Sequence, residues 1–337
     1  MPYVVSHSGM TADCGVQPCS AAVALRGMND RPEPRPIVVG YDGSPQAHDA
    51  LALGAALASA TGKRLVLAGA YGPEGAIRDE ELAARRAEVL ERLAEAADSV
   101  PSDAPLQVER RALLGSSVAA ALQAVAEAEH PRALVLGSCH RGAVGRVVIG
   151  GVAERLLQGS PCPVVVAPRG LAERGPVRLG TVCVGFDGRP EGWTALQRGA
   201  QIAAAAGGRL RVAMVVSPLI GTPTMVVVPP EMVEERLKAA QVELDHAVHS
   251  VAKRLEPAGE LLRGSPGQQL AEEASAAVDL MVVGSRGYGP LQRVLLGSVS
   301  TSLMHSAPCP VMVVPRTAEF DPSEEGLAGE DQYVASA

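Results

Sequence analysis

The chain repeats part of its own sequence, and this repeat limits its possible folds more than any other feature. Ile37-Val-Val-Gly-Tyr-Asp-Gly43 matches Val182-Cys-Val-Gly-Phe-Asp-Gly188, about 145 residues further along the chain. Leu134-Val-Leu-Gly-Ser138 matches Met281-Val-Val-Gly-Ser285 at a spacing of about 147 residues. Because the spacing changes so little across the unit, the sequence predicts two copies of one domain that share an architecture.

The length of the chain supports the same division. Its 337 residues are about twice the ~150 residues that serve as a prior for one domain. Two terminal segments without periodicity flank the repeats and are expected to be mobile, and a short polar linker with Gly and Pro separates the repeats. We predict an N-terminal extension (1–33), a first domain (34–169), a second domain (178–316) and an acidic tail (317–337).

The pattern inside each copy is typical of an α/β fold. Short apolar runs, which suit strands buried on both faces, alternate with longer amphipathic stretches that suit crossover helices. The helices predicted in the first copy include 45–60, where Ser44 and Pro45 form a good helix start, and 79–97. The strands predicted there are 36–41, 64–70, 106–112, 133–137 and 164–167. The second copy repeats this pattern, although Gly259–Leu262 leaves room for only a short third strand.

This pattern predicts two tandem, doubly wound, Rossmann-like domains, each with a five-stranded parallel sheet. In such sheets, ligands bind beyond the carboxyl ends of the strands, where the strand order reverses. Asp42 and Asp187 follow the first strand of each copy, and Gly137 and Gly284 end the fourth. The motifs of interest therefore fall at the expected binding edge.

Composition argues against several classes of function. The net charge is −7 and only 2% of residues are aromatic, so the chain lacks both the basic field and the stacking surfaces typical of nucleic-acid binding. No apolar run is long enough for a membrane span, and the first 30 residues do not resemble a secretory signal. We therefore predict a cytoplasmic protein with neither membrane nor nucleic-acid partners.

The six cysteines do not predict disulfides or a metal site. Cys162 and Cys309 each lie in Pro-Cys-Pro before an apolar run, and Cys183 lies inside such a run, which indicates small buried hydrophobic residues. Cys14 and Cys19 lack two further ligands for a metal.

A glycine-rich loop in the second copy predicts a phosphate site. Gly284-Ser-Arg-Gly287 is followed by nine residues and then by Gly297-Ser298-Val299-Ser300 at the start of an apolar helix. Glycine lets backbone N–H groups approach phosphate oxygens, and the helix terminus adds donors and a favourable dipole. We expect Ser298 and Ser300 to add hydroxyl groups. The alternative is that these glycines only shape a loop.

These residues resemble the universal stress protein family, whose nucleotide-binding members carry Gly-x-x-Gly, nine residues, and Gly-Ser or Gly-Thr. The resemblance covers both domains and includes Ala-Pro-Cys-Pro-Val. It implies that the aspartate contacts adenosine, that a residue on the second strand lies against adenine, and that the loop wraps the phosphates. The residues that match these roles in the second copy are Asp187, Val215, Val283, Gly284, Gly287, Gly297, Ser298 and Val299, with Asp42, Gly137 and Gly150 as weaker matches in the first copy.

The first copy departs from the family pattern. His140 replaces the second glycine, and Gly151 replaces the serine. A Cβ at position 140 excludes some backbone angles that glycine allows. This half is therefore either a second nucleotide site or a structural partner. Asp-Gly is also a turn signal by itself, and Arg189, where the first copy has Ser44, either pairs with phosphate or obstructs the pocket.

The resemblance also implies how the halves assemble and what the protein does. The fifth strands, 164–167 and 311–314, are expected to pair, so that one chain imitates a dimer; a homodimer of whole chains stays open. The predicted function is an ATP-binding stress-response or regulatory protein, with or without Mg²⁺, and with ADP or AMP as alternatives. It is not expected to be an enzyme, or at most a weak ATPase. The remaining alternative is an interaction module that needs no nucleotide.

Overall fold

The computed structural model describes residues 35–72, 78–100, 106–139, 144–217, 229–252, 255–275, 277–285 and 297–315. The predicted N-terminal extension and acidic tail lie outside these residues, and so do Cys14, Cys19, His140 and Gly287. None of the described helices combines the length and the apolar character needed to cross a membrane.

Strands and helices alternate in both halves of the described chain. The first half, called domain 1 below, contains β1 (Ile37–Gly40), α1 (Pro45–Thr61), β2 (Leu65–Tyr71), α2 (Asp79–Asp98), β3 (Val108–Leu114), α3 (Val118–Glu129), β4 (Ala133–Gly137), α4 (Gly151–Gly159) and β5 (Val164–Ala167). The second half, domain 2, contains β6 (Thr181–Phe186), α5 (Pro190–Ala205), β7 (Arg209–Val216), α6 (Pro230–Val251), β8 (Ala258–Arg263), α7 (Pro266–Ala274), β9 (Leu280–Gly284), α8 (Ser298–Ser306) and β10 (Val311–Val314).

Local sequence signals fix the ends of α1. The Ser44 hydroxyl accepts a hydrogen bond from the Ala47 N–H at 3.2 Å, and Pro45 occupies the first helical position. The helix ends at Gly62, whose φ of 63° lies in the left-handed region. This helix therefore begins where the sequence predicts.

The ten strands form one continuous sheet in the order β3-β2-β1-β4-β5-β10-β9-β6-β7-β8. Strands within each domain are parallel, and β5 and β10 join the domains as an antiparallel pair with Val165 opposite Met312. The predicted fold class, two tandem doubly wound α/β domains, is confirmed. The predicted pairing of the fifth strands is confirmed as well.

Two cores pack on opposite faces of the sheet, and both extend through the two domains. Buried residues of α1, α2, α5 and α6 belong to one core, including Leu53, Leu93, Leu196 and Leu244. Buried residues of α3, α4, α7 and α8 belong to the other. Strands covered on both faces explain why the sequence shows continuous apolar runs rather than alternation.

The two edge strands differ from the sequence prediction. Strand β3 spans Val108–Leu114 rather than 106–112, because its ladder with β2 continues until Leu114 lies opposite Tyr71. Strand β8 was predicted to be short, yet it spans six residues, because its ladder with β7 continues to Arg263. Edge strands carry polar residues, so their apolar pattern marks their ends poorly.

Candidate functional site

A cavity of about 790 Å³ lies at the carboxyl ends of β6, β7 and β9 in domain 2. Strand β6 pairs with β7 on one side and with β9 on the other, so the strand order reverses here. Helices α5, α6, α7 and α8 each contribute residues to the wall. We call this the domain 2 cavity.

Asp187 follows the last residue of β6 and lines the cavity. Its Oδ1 accepts a hydrogen bond from the Arg189 N–H at 3.2 Å, which forms the turn into α5. Asp42 forms the same turn in domain 1, accepting from the Ser44 N–H at 2.9 Å. The Asp187 side chain remains 57% exposed, so its carboxylate is open to a ligand as well as to the turn.

Glycine follows each of these aspartates for a conformational reason. Gly188 has a φ of 74° and Gly43 a φ of 83°, in the region that favours glycine. The side chain of Glu243, on α6, lies directly over Gly188 and would collide with an added Cβ. Glu243 and Asp187 both line the cavity.

An apolar wall continues from this polar corner. Val215, with Met214 and Val216, contributes from β7, and Val283 contributes from β9. Val283 is almost fully buried, whereas Val215 is half-buried. This wall offers an apolar surface to one side of a ligand.

Gly284 ends β9 and has a packing reason to be glycine. A Cβ placed there would lie 2.6 Å from the carbonyl oxygen of Glu191, in the first turn of α5. Gly137 is in the same position against Gln46 in domain 1. These two glycines therefore let the fourth strand of each domain approach a helix closely, and this packing role does not depend on a ligand.

The amino end of α8 completes the cavity. Gly297 is its N-cap, and among the described residues no side-chain hydrogen bond caps the helix. Gly297, Val299 and Ser300 line the cavity, while Ser298 lies beside them and is exposed. The N–H groups of this first turn have no acceptor within the helix.

The two serines expected to add hydroxyl groups are placed differently. Ser300 is 2% exposed, and its hydroxyl donates a hydrogen bond to the carbonyl oxygen of Gly284 at 3.2 Å. This hydrogen bond connects α8 to the end of β9. Ser298 is the serine whose hydroxyl faces solvent at the helix start. Six of the eight residues predicted for this site line one cavity, Ser298 adjoins it, and Gly287 lies outside the described residues.

Domain 1 is arranged differently. Asp42 lines a cavity of about 460 Å³ together with Tyr41, His48 and residues of α2. Gly137 and Gly150 do not belong to the described lining of that cavity. The Tyr41 hydroxyl lies 3.1 Å from His48 Nε2, and burial is the main cause that raises the pKa of this phenol.

Comparison with known proteins decides the family. The model of the universal stress protein family matches residues 33–168 and again residues 179–315. The chain belongs to the universal stress protein family. A universal stress protein of Mycobacterium tuberculosis is 30% identical over 228 residues, which is 65% of this chain and 72% of that protein. One from Mycolicibacterium smegmatis is 34% identical over 195 residues, 54% of this chain and 60% of that protein.

A solved structure supports the same fold. A universal stress protein from Archaeoglobus fulgidus has a TM-score of 0.59 and 20% identity, covering 83% of this chain and 98% of that one. At this level of identity the likeness concerns the arrangement of strands and helices.

Part of the cavity wall in this universal stress protein comes from α6, which the sequence motifs do not indicate. Arg236, Ala239, Ala240 and Glu243 line the cavity from one face of α6. Their spacing of three and four residues is a helical signal that was available in the sequence. Only the packing of α6 against β7 and β8 shows that this face meets the cavity.

Arg189, whose role the sequence left open, also lines the cavity. Its Nε lies 3.9 Å from Asp187 Oδ2, and both side chains are more than half exposed. The guanidinium therefore balances the charge of the aspartate at the β6 corner.

Three of the described cysteines lie in the interior, whereas Cys139 is half-buried. Burial raises the pKa of the Cys162 thiol to about 11 and those of Cys183 and Cys309 to about 12. All three are buried free thiols, as predicted. In the part of the chain that the structure describes, no group of three or more His, Cys, Asp or Glu side chains is placed to hold a metal.

Proposed function

We propose that this universal stress protein binds an adenine nucleotide, ATP in the first place, in the domain 2 cavity, and that occupancy regulates its conformation or its binding to a partner. One observation carries the proposal. A single cavity joins an open aspartate, an apolar strand wall and the amino end of a helix. Its volume of about 790 Å³ lies in the range of about 300–1,000 Å³ that small-molecule sites occupy.

The amino end of α8 supports placing the phosphates there. Backbone N–H groups and the positive end of the helix dipole both favour an anion. Gly297 presents no side chain between these donors and the cavity. The exposed Ser298 hydroxyl is a further donor for a phosphate oxygen.

The opposite corner supports placing adenosine there. The carboxylates of Asp187 and Glu243 accept hydrogen bonds from ribose hydroxyls or from the adenine amino group. Val215 and its neighbours on β7 provide an apolar surface for the base. The two ends of the cavity therefore offer different groups, which orients the nucleotide: hydrogen-bond acceptors and an apolar wall at one end, and backbone donors at the other.

Other parts of the proposal follow from the family resemblance. Mg²⁺ would accompany the triphosphate and offset its charge. ADP and AMP present the same adenosine but fewer phosphate groups. We therefore expect them to bind in the same cavity with lower affinity than ATP.

The proposal is tested by titrating nucleotide-free protein with ATP and Mg²⁺ in a calorimeter, alongside the variant Gly297→Val. A valine at this N-cap adds a branched side chain beside the α8 donors. We expect about one ATP bound per chain by the unmodified protein, and at least about a tenfold loss of affinity in the variant.

Gly150→Val is the matched control, because Gly150 is the N-cap of α4 at the same place in domain 1. Among the described residues, a Cβ at Gly150 has no neighbour closer than 3.8 Å, which is ordinary van der Waals contact. We expect this variant to bind ATP like the unmodified protein. Equal binding by Gly297→Val, or no binding by protein shown to be nucleotide-free, would refute the proposal.

A further inference from the structure

Helix α8 connects the domain 2 cavity to domain 1. Its amino end lines the cavity through Gly297, Val299 and Ser300. Its carboxyl end contacts residues 146–149 of domain 1, which we call the support segment. In the repeat, this segment corresponds to the four residues that immediately precede Gly297.

Three hydrogen bonds hold the carboxyl end of α8. The N–H of Val147 donates to the carbonyl oxygen of Ala307 at 2.8 Å, and the N–H of Ile149 donates to that of Met304 at 3.1 Å. The guanidinium of Arg146 donates to the carbonyl oxygen of Ser306 at 3.2 Å. The last carbonyl groups of a helix lack hydrogen-bond donors within the helix. Domain 1 supplies donors to three carbonyl groups at this end of α8.

The Val147 contact lies in the interior, whereas the Arg146 contact is exposed. Val147 and Ala307 are both fully buried. A buried carbonyl that loses its donor is costly, so the end of α8 cannot leave the support segment without a penalty.

The helix between these contacts is short and tightly packed. It has nine residues, and Leu303 and Met304 are fully buried. The Ser300 hydroxyl fixes its first turn to Gly284 at the end of β9. Because close-packed elements move as units rather than deform, a shift at the carboxyl end is transmitted to the amino end.

We propose that the support segment of domain 1 positions α8 and thereby sets the phosphate affinity of the domain 2 cavity. The inference rests on the proposed function. In that proposal adenosine lies against Asp187, in the turn into α5, and Val215, on β7, and none of the three hydrogen bonds from the support segment reaches either element. Loss of the contacts of the support segment therefore lowers the affinity for ATP and leaves the affinity for adenosine unchanged.

The test compares ATP with adenosine in the full-length chain. The variant Val147→Pro removes the N–H that holds Ala307, and Arg146→Ala removes the guanidinium that holds Ser306. Binding is followed by the fluorescence of Trp193, the only tryptophan in the chain. It packs edge-on against Phe186, a lining residue of the domain 2 cavity, so it reports on this cavity.

We expect Val147→Pro to weaken ATP binding about tenfold and Arg146→Ala about threefold, within the range of typical coupling between sites. Adenosine affinity should stay within about twofold of the unmodified protein in both. Arg155→Ala is the control, since it removes an exposed arginine of α4 in the same domain and should change neither affinity. If Val147→Pro does not fold, the inference is tested by the ratio of ATP affinity to adenosine affinity in Arg146→Ala.

The outcomes separate the two proposals. If the unmodified protein binds ATP and adenosine but the variants keep the same ATP to adenosine ratio, the support segment does not position α8. An equal loss of both ligands would indicate general damage to the fold and would also overturn the inference. If the unmodified protein binds neither ligand, the proposed function itself is wrong.

Discussion

Asp187 shows how one residue serves both the fold and the candidate site. The hydrogen bond from the Arg189 N–H to its Oδ1 explains why an aspartate stands at this turn, and Asp42 makes the equivalent bond in domain 1. That turn would be needed without any ligand. What distinguishes Asp187 is its surroundings, because its cavity extends to the amino end of α8.

The variant Asp187→Asn separates these two roles. The amide oxygen can still accept from the Arg189 N–H, but the NH₂ group cannot accept from a ribose hydroxyl or an adenine amine. We expect ATP and adenosine to bind about tenfold more weakly, because a hydrogen bond to a charged group contributes roughly 1.5–3 kcal/mol. Calorimetric titration with each ligand measures this.

Asp42→Asn is the matched change in domain 1 and should leave both affinities in domain 2 unaltered. The melting temperature of Asp187→Asn should stay close to that of the unmodified protein, because the turn is kept. A large fall in melting temperature with unchanged binding would instead mean that Asp187 acts only in the turn.

At the scale of elements, α1 anchors the linker between the domains. Asp49 is 2% exposed, and its two carboxylate oxygens accept from the N–H groups of Gly170 and Ala172, both at 2.8 Å. The sequence alone did not indicate this contact. It joins positions about 120 residues apart, and only the folded chain brings them together.

Asp49→Ala should therefore destabilise the protein by about 2 kcal/mol or more, because two backbone donors lose a buried acceptor. The free energy of unfolding, measured in urea, tests this. Asp98→Ala, which removes an exposed carboxylate at the end of α2, should change it by less than about 0.5 kcal/mol. Equal stability of the two variants would contradict the anchoring role.

The repeat and the apolar runs allowed most elements to be predicted. The limits of β4 and β5 agree with the structure because both strands are buried and uniformly apolar. The edge strands β3 and β8 were placed less well because polar residues such as Glu109 and Glu260 interrupt their pattern. Cavity residues after strands were predictable, whereas Arg236 and Glu243 depend on the packing of α6.

At the scale of the whole molecule, the two domains share one ten-stranded sheet and two cores. Domain 1 is therefore more than a neighbour of the candidate site, since the β5–β10 pair and the support segment both connect it to domain 2. Duplication conserves the scaffold, while small differences such as Ser44 and Arg189 make the two halves chemically distinct.

The most direct test of the central claim is a crystal structure of the protein that has first been freed of bound nucleotide and then crystallised with ATP and Mg²⁺. We predict ATP in the domain 2 cavity, with phosphate oxygens within hydrogen-bond distance of the backbone N–H groups at the start of α8. Adenosine should lie beside Asp187 and Val215. ATP bound only in the Asp42 cavity of domain 1, or bound in domain 2 with adenosine against α8, would contradict the account.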